Sequence, residues 1–143
     1  MKQKFINFYF DVAQQTAKLS HAVRLKVGAV IVNDNNILSF GYNGMPAGMP
    51  NKCEDERYDE DGFHIILKTK PEVIHAEANA IAKLARQNGN GQDATMFITH
   101  APCVECAKLI IQSGIKNVYW KEQYRDTTGI ELLNTAGITT WKE

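Results

Sequence analysis

The sequence predicts an α/β fold with three layers, α/β/α, built around a mixed five-stranded sheet. In the second half of the chain, apolar strand-like runs alternate with helical patterns, which indicates parallel strands with helices on the faces of the sheet. In the first half, two such runs flank a turn of Asn and Asp residues, and this hairpin makes the sheet mixed. The length of 143 residues fits one domain over 1–143.

Local patterns predict the elements of the first half in order. Apolar residues recur at helical spacing over 3–19, which indicates the first helix. The runs 27–32 and 37–42 are the hairpin strands, and a loop punctuated by glycine and proline follows over 41–50. Residues 51–72 are predicted to be irregular and locally acidic. We interpret them as a functional lid or insertion loop, with a solvated, partly mobile insertion as the alternative.

The second half alternates between helix and strand. Its first helix is rich in Ala, Leu, Ile and Lys, which favour helix, and it ends at two Asn-Gly pairs over 88–91. The predicted elements are a helix over 76–85, a strand over 95–99, a helix over 103–113, a strand over 115–120, a helix over 130–135 and a strand over 138–141.

Charge and composition exclude several classes of function. A formal net charge of +0 gives no reason to expect a broad electrostatic footprint for duplex DNA or long RNA. The apolar N-terminal residues are interrupted by Asp11, unlike a signal peptide, and no run approaches the length of a membrane span. Three cysteines, two of them in a metal-binding pattern, predict a reducing, cytoplasmic location.

Two motifs carry the predicted chemistry: His-Ala-Glu at 75–77 and Pro-Cys-Val-Glu-Cys at 102–106. His75, Cys103 and Cys106 are the three protein ligands of a catalytic zinc ion that keeps one position open for water. Glu77 is the carboxylate that does not bind the metal. The two cysteines share one face of a helix start, where the helix dipole favours thiolates. In a regular helix Glu77 would point about 200° away from His75, so their convergence requires an irregular first turn.

A Cys-x-x-Cys pair also has other uses. It can be a redox pair at the start of a helix or half of a structural zinc site. A structural site needs a fourth protein ligand, for which the candidates are Cys53, His21, His64 and His100. The combination of both motifs favours the catalytic site over these alternatives.

With these motifs, the sequence resembles the deoxycytidylate (dCMP) deaminase family within the cytidine deaminase-like superfamily. The resemblance covers nearly the whole chain outside 51–72, and its zinc motifs are shared across the superfamily. The loop at 41–46 and Asn79 point to the dCMP branch. The matching segments are 26–32, 41–48, 75–81, 102–108, 113–115, 124–126, 132–133 and 136–138.

This resemblance implies zinc-dependent hydrolytic deamination of dCMP to dUMP and ammonia, which supplies precursor for dTMP synthesis. Glu77 is expected to take a proton from water, pass it to N3 of cytosine and then protonate the leaving amine, while hydroxide attacks C4. The resemblance also implies a homo-oligomer, commonly a hexamer, that dCTP activates and dTTP inhibits. The residues expected to line the effector site, with Mg²⁺ accompanying dCTP, are Gly41, Tyr42, Asn43, Gly44 and Arg86.

Two features of the chain depart from the family pattern. Some members hold a second, structural zinc ion with paired cysteines. Cys53 matches one of these positions, but Ala22 stands where its partner would be, so the resemblance does not extend to a second zinc. The 51–72 segment also differs in length from many members.

Residues near the motifs are predicted to bind substrate. Arg24 and Lys26 supply positive charge for the phosphate, with solvated surface charges as the alternative. Asn43 is predicted to hydrogen-bond a sugar hydroxyl, with a structural turn residue that tolerates positive φ as the alternative. Tyr124 is predicted to stack on the base or close the pocket, and packing against a neighbouring subunit is its alternative. Ala76 and Pro102, beside the metal ligands, complete the set.

Several competing functions remain open from the sequence. A deaminase of free cytidine, tRNA adenosine or single-stranded DNA would share the zinc motifs, although neutral charge and the lack of a basic–aromatic stripe disfavour nucleic acid. A related enzyme would act also or mainly on dCTP. A zinc-bearing nucleotide sensor without turnover would not need Glu77. A thiol redox module would join Cys103 and Cys106 in a disulfide without zinc.

Overall fold

The structure is a computed structural model of the chain, and it describes residues 1–123 and 125–143. The helices are α1 (Gln3–Ala17), α2 (Ala76–Arg86), α3 (Val104–Gln112) and α4 (Thr128–Thr135). The strands are β1 (Gly28–Asn33), β2 (Asn36–Tyr42), β3 (Glu54–Tyr58), β4 (Ile65–Thr69), β5 (Thr95–His100), β6 (Asn117–Glu122) and β7 (Thr139–Lys142). Among the described residues, no helix has the length and apolar character needed to cross a bilayer.

One mixed sheet of five strands forms the centre, in the order β2-β1-β5-β6-β7. β1 pairs antiparallel with both β2 and β5, whereas β5, β6 and β7 run parallel. The turn between β1 and β2 uses Asp34 and Asn35 at φ angles of 48° and 61°, which suits the right-handed twist of a two-residue hairpin. The predicted sheet is therefore confirmed.

Helices cover both faces of this sheet. Successive residues of a strand point to opposite faces, so Val30 packs with Phe10 of α1 and with Phe97. The next residue, Ile31, belongs to the core on the other face, together with residues of α2, α3 and α4 such as Ile110. The two cores produce the predicted α/β/α layers and bring α2 and α3 to one face.

Residues 51–72 are not irregular, so that prediction was wrong. They contain a separate two-stranded antiparallel sheet, in which Glu54 lies opposite Thr69 and Tyr58 lies opposite Ile65. Four of the five residues of β3 are charged, so strand propensity does not reveal it, and pairing with β4 forms the strand. Its first residue, Glu54, is buried while the rest of β3 is exposed. We call the β3–β4 unit the hairpin; its role as a lid stays a prediction.

Candidate active site

Two helices begin directly after predicted metal ligands. His75 is the N-cap of α2 and Cys103 is the N-cap of α3. Both have extended backbones, with φ −70° and ψ 156° at His75 and φ −75° and ψ 171° at Cys103. Neither side chain bonds to its own helix end, so both can point to a shared centre. Pro102 consequently lies before the N-cap and not in the first turn.

The three predicted ligands converge. The Nδ1 atom of His75 lies 3.3 Å from Sγ of Cys106 and 3.5 Å from Sγ of Cys103, and all three ligand atoms lie within 4.8 Å of one another. A tetrahedral zinc ion separates nitrogen and sulfur ligands by about 3.6 Å, given its usual bond lengths. The spacing and the nitrogen–sulfur donor set therefore fit Zn²⁺.

The carboxyl group of Glu77 lies beside this centre in the first turn of α2. Because His75 is extended, the 200° helical relation does not apply to the pair, and both residues line the same cavity. Glu77 is 4% exposed, and its burial raises the pKa of the carboxyl group above the ordinary value. A carboxyl group with a raised pKa is suited to both accepting and donating a proton.

Hydrogen bonds among the ligands set their charge states. The bond between the cysteines, with a further contribution from His75, lowers the pKa of Cys103 to about 3. The same bond and burial raise the pKa of Cys106, and the bond to Cys103 raises the pKa of His75. Cys103 therefore loses its proton more readily than Cys106, and a metal that binds here displaces the protons that remain.

A cavity of about 410 Å³ opens from the metal ligands toward the hairpin. Of the predicted substrate residues, Arg24 and Asn43 line it. Ala76, Pro102 and Lys26 do not: the first two are buried and Lys26 is exposed. Tyr124 lies outside the described residues. The lining comprises Ala22, Arg24, Leu25, Val27, Asn43, Cys53, Glu54, Thr69, Val73, His75, Glu77, His100, Ala101 and Cys103.

Asn43 has a structural role in the cavity wall. Its Oδ1 accepts a hydrogen bond from the backbone N–H of Val27 at 2.8 Å, and its Nδ2 donates to the carbonyl of Leu25 at 2.8 Å. Its φ is not positive, so this structural role does not depend on the tolerance of asparagine for positive φ. Contact with a sugar hydroxyl stays a prediction.

Sequence reasoning missed three polar residues of the cavity: Glu54, Thr69 and His100. Glu54 is 5% exposed, but nothing distinguishes it from its acidic neighbours in the sequence. His100 precedes the second motif by two positions, which was an available signal. Its Nδ1 lies 2.8 Å from the hydroxyl of Thr99, and burial lowers its pKa.

A second cavity, of about 320 Å³, lies behind the 41–44 loop. Gly41, Tyr42, Gly44 and Arg86 line it, whereas Asn43 lines the first cavity instead. The role of these residues as an effector site stays a prediction. Sequence reasoning missed Lys83, a second cation in this lining. Burial and the nearby charge of Arg86 lower the pKa of Lys83. Asn79 donates from Nδ2 to the carbonyl of Tyr42 at 2.8 Å and so ties the loop to α2.

Cys53 is not part of either group of potential metal ligands found among the described residues. It is buried and lines the first cavity. The other group of potential ligands among the described residues, Asp59, Asp61 and His64, lies at the tip of the hairpin. Exposed acidic groups of this kind are common without a metal.

The chain is similar to known zinc-dependent deaminases. Residues 3–122, which include both motifs, match the family model described as the cytidine and deoxycytidylate deaminase zinc-binding region. The chain is 39% identical over 135 residues to ComE operon protein 2 of Bacillus subtilis, covering 93% of this chain and 68% of that protein. It is 39% identical over 139 residues to the deoxycytidylate deaminase of Homo sapiens, covering 92% and 75%.

Solved structures show the same fold. The dCMP deaminase from the cyanophage S-TIM5, in complex with dCMP and dUMP, matches with a TM-score of 0.89 and 38% identity. The match covers 100% of this chain and 99% of that chain. A deaminase/reductase of Thermotoga maritima matches at a TM-score of 0.70 and 24% identity, which shows the fold alone.

Proposed function

The chain belongs to the cytidine and deoxycytidylate deaminase zinc-binding family, and we propose that it converts dCMP and water to dUMP and ammonia. The main evidence is that three residues of the types that bind zinc converge beside the buried carboxyl group of Glu77. They do so in a cavity whose volume suits a small ligand. The similar human protein is a deoxycytidylate deaminase, and the similar cyanophage enzyme binds dCMP and dUMP. The product dUMP is a precursor for dTMP synthesis.

In the reaction, a Zn²⁺ ion held by His75, Cys103 and Cys106 would supply the Lewis acidity that makes water nucleophilic near neutral pH. Glu77 removes a proton from that water and delivers it to N3 of the cytosine ring. The oxygen attacks C4, and Glu77 then takes the remaining proton from that oxygen and passes it to the exocyclic amine. The C4–N bond breaks, which releases ammonia and leaves the C4 carbonyl of dUMP. Burial supports this double role, since it raises the pKa of Glu77 above its ordinary value.

Arg24 is the cation of the cavity lining that suits the phosphate. Its Nη1 donates a hydrogen bond to the hydroxyl of Thr69 at 3.2 Å. A guanidinium carries five N–H donors and binds phosphate in a forked geometry, so the contact with Thr69 leaves it suited to a phosphate. We therefore retain Arg24 as the phosphate-binding residue and propose Thr69 as its neighbour on the hairpin side.

Ammonia release from dCMP, dCTP, cytidine and a stem-loop RNA, measured in parallel, tests this function. We expect the highest kcat/KM with dCMP. A higher kcat/KM with dCTP would transfer the proposal to the triphosphate. Tight nucleotide binding without ammonia release would favour a sensor, and metal-free protein with a reversible Cys103–Cys106 disulfide would favour a redox module.

Regulation by nucleotides is a further part of the proposal. The second cavity carries Lys83 and Arg86, two cations that can face the phosphates of dCTP, with Mg²⁺, or of dTTP. Asn43 lines the first cavity, while its neighbours Tyr42 and Gly44 line the second. One loop therefore forms part of both walls, so an effector that moves it acts on the substrate site.

Equilibrium binding of dTTP and dCTP to the Arg86→Gln variant tests this regulation. We expect binding to weaken by about 10-fold or more through loss of a charge-assisted contact. Arg57→Gln, at an exposed arginine of the hairpin, is the matched control. Unchanged effector binding in Arg86→Gln would exclude this cavity as the effector site.

We also propose a homo-oligomer, with a hexamer as the first expectation, and a cytoplasmic location. The oligomer follows from the family resemblance. The cytoplasmic location follows from the need to keep the ligand thiols reduced. Light scattering after size-exclusion chromatography measures the number of subunits, and a monomeric mass under assay conditions would contradict the first of these.

A further inference from the structure

Arg24 is held at both ends by one cross-strand pair of the hairpin. Glu54 is the first residue of β3, Thr69 is the last of β4, and the two lie opposite each other in the register. The Glu54 carboxylate accepts hydrogen bonds from the backbone N–H groups of Val23 and Arg24, both at 2.9 Å to Oε2. The Thr69 hydroxyl accepts from Nη1 of Arg24 at 3.2 Å.

Glu54 is buried, so its carboxylate depends on these hydrogen bonds. A carboxylate that is 5% exposed needs several donors, and Oε1 accepts a third contact from Val23 N–H at 3.2 Å. Two successive backbone N–H groups that face one anion fix the local backbone conformation. The rest of this wall is held by Ser20, which donates to the carbonyl of Asn43, and by the amide of Asn43.

We propose that Glu54 and Thr69 are positioning residues, which act through Arg24 on recognition of the 5′-phosphate. This inference rests on the proposed function. Glu54 holds the backbone from which the Arg24 side chain projects, and Thr69 orients its guanidinium. The hairpin thereby sets the preference for a nucleotide over the matching nucleoside, although it contributes no group to the chemistry at C4.

Charge alone predicts the opposite effect for Glu54. A carboxylate near a phosphate repels it, so removing the charge would strengthen dCMP binding. Arg24 and Thr69 are exposed, however, and solvent and salt screen such repulsion at a cavity rim. Glu54→Gln leaves one neutral acceptor oxygen and turns the other into an NH2 donor, so the charge-assisted contacts with the backbone N–H groups of Val23 and Arg24 are weakened. This local effect is not screened in the same way, so the positioning effect is expected to dominate.

The experiment compares dCMP with 2′-deoxycytidine, which lacks the phosphate, in Glu54→Gln and Thr69→Val. Asp55→Asn is the matched control, because it removes a carboxylate at the next position, which is exposed and faces the other side of the hairpin. We expect KM for dCMP to rise about 10-fold in Glu54→Gln and somewhat less in Thr69→Val, with kcat nearly unchanged. The kcat/KM for deoxycytidine should stay at the wild-type value in both variants.

A double-mutant cycle with Arg24→Ala provides the second readout. If Glu54 acts through Arg24, Glu54→Gln adds little further loss in the Arg24→Ala background. Equal losses on both substrates, fully additive losses, or tighter dCMP binding would each overturn the proposal. Should Glu54→Gln fail to fold, Thr69→Val decides by the same criteria, because it removes one exposed hydroxyl at nearly constant volume.

A failure of the proposed function is recognised separately. If wild-type protein releases no ammonia from dCMP, that function is wrong, and calorimetric binding of dCMP and deoxycytidine replaces the kinetic comparison. Wild-type binding of dCMP no tighter than deoxycytidine would then refute the positioning role as well. If the wild-type protein binds dCMP more tightly than deoxycytidine and both variants lose this difference, the result supports the positioning role.

Discussion

Replacement of Gly129 by alanine should weaken zinc binding, although this residue is no metal ligand and is distant from both motifs in the sequence. Gly129 is buried in the first turn of α4. An added Cβ would lie 2.9 Å from the carbonyl carbons of Pro102 and Cys103, and closer still to the Pro102 oxygen. Cβ atoms essentially never approach heavy atoms within 3.0 Å, so α4 or the Cys103 segment must move.

The required movement is large compared with what a metal site tolerates. Relief of the overlap needs a shift of roughly 1 Å, whereas metal–ligand distances tolerate about 0.2 Å. If the Cys103 segment takes up even part of the shift, we expect zinc affinity to fall by about 10- to 100-fold. The overlap should also lower the free energy of unfolding by about 1–3 kcal/mol.

Competition with a chromophoric zinc chelator measures the affinity, and thermal unfolding in EDTA measures the stability of the metal-free protein. Gly44→Ala is the control, because a Cβ at that position meets nothing closer than Tyr42 Cε2 at 4.0 Å. Wild-type zinc affinity in a destabilised Gly129→Ala protein would refute the reasoning, since α4 alone would then have moved.

Three further predictions concern catalysis, the core and pH. Glu77→Gln should retain zinc by elemental analysis but lose turnover on the order of 10²-fold or more; preserved turnover would remove Glu77 from the mechanism. Phe97→Ala should lower the free energy of unfolding by about 3–5 kcal/mol in urea titrations, because Phe97 is fully buried and stacks on Tyr119 at 4.8 Å, while KM should not change. Zinc affinity, measured by calorimetry, should rise with pH and continue to rise after His75 is neutral, since the raised pKa values of His75 and Cys106 let protons compete with the metal; a flat profile would contradict this.

The main sheet could be predicted because its signals are local. Each of its strands is a short run with its own apolar pattern. The β1–β2 turn is indicated by two residues that tolerate positive φ, Asp34 and Asn35. The β3–β4 hairpin could not be predicted, because Glu54 and its charged neighbours in β3 have low strand propensity. Backbone pairing with β4, across a turn, stabilises this strand despite its low propensity.

The metal ligands could also be predicted, since nitrogen and sulfur donors in two short motifs restrict the chemistry strongly. The approach of Glu77 to the same centre could not, because helical spacing places it on the wrong side of His75. The extended backbone at the N-cap of α2 resolves this conflict. Such a cap conformation depends on where the helix begins, and sequence patterns locate helix ends poorly.

By itself, the sequence predicted the mixed sheet and the two motifs that supply the candidate ligands and Glu77, because each pattern that indicates them lies within a short stretch of the chain. Tertiary structure alone decided that Glu54 and Thr69 hold Arg24, and that Gly129 packs against the Cys103 backbone. These contacts join segments more than twenty residues apart. Long-range packing selects the partners of a side chain, whereas residue type only restricts which partners are chemically possible.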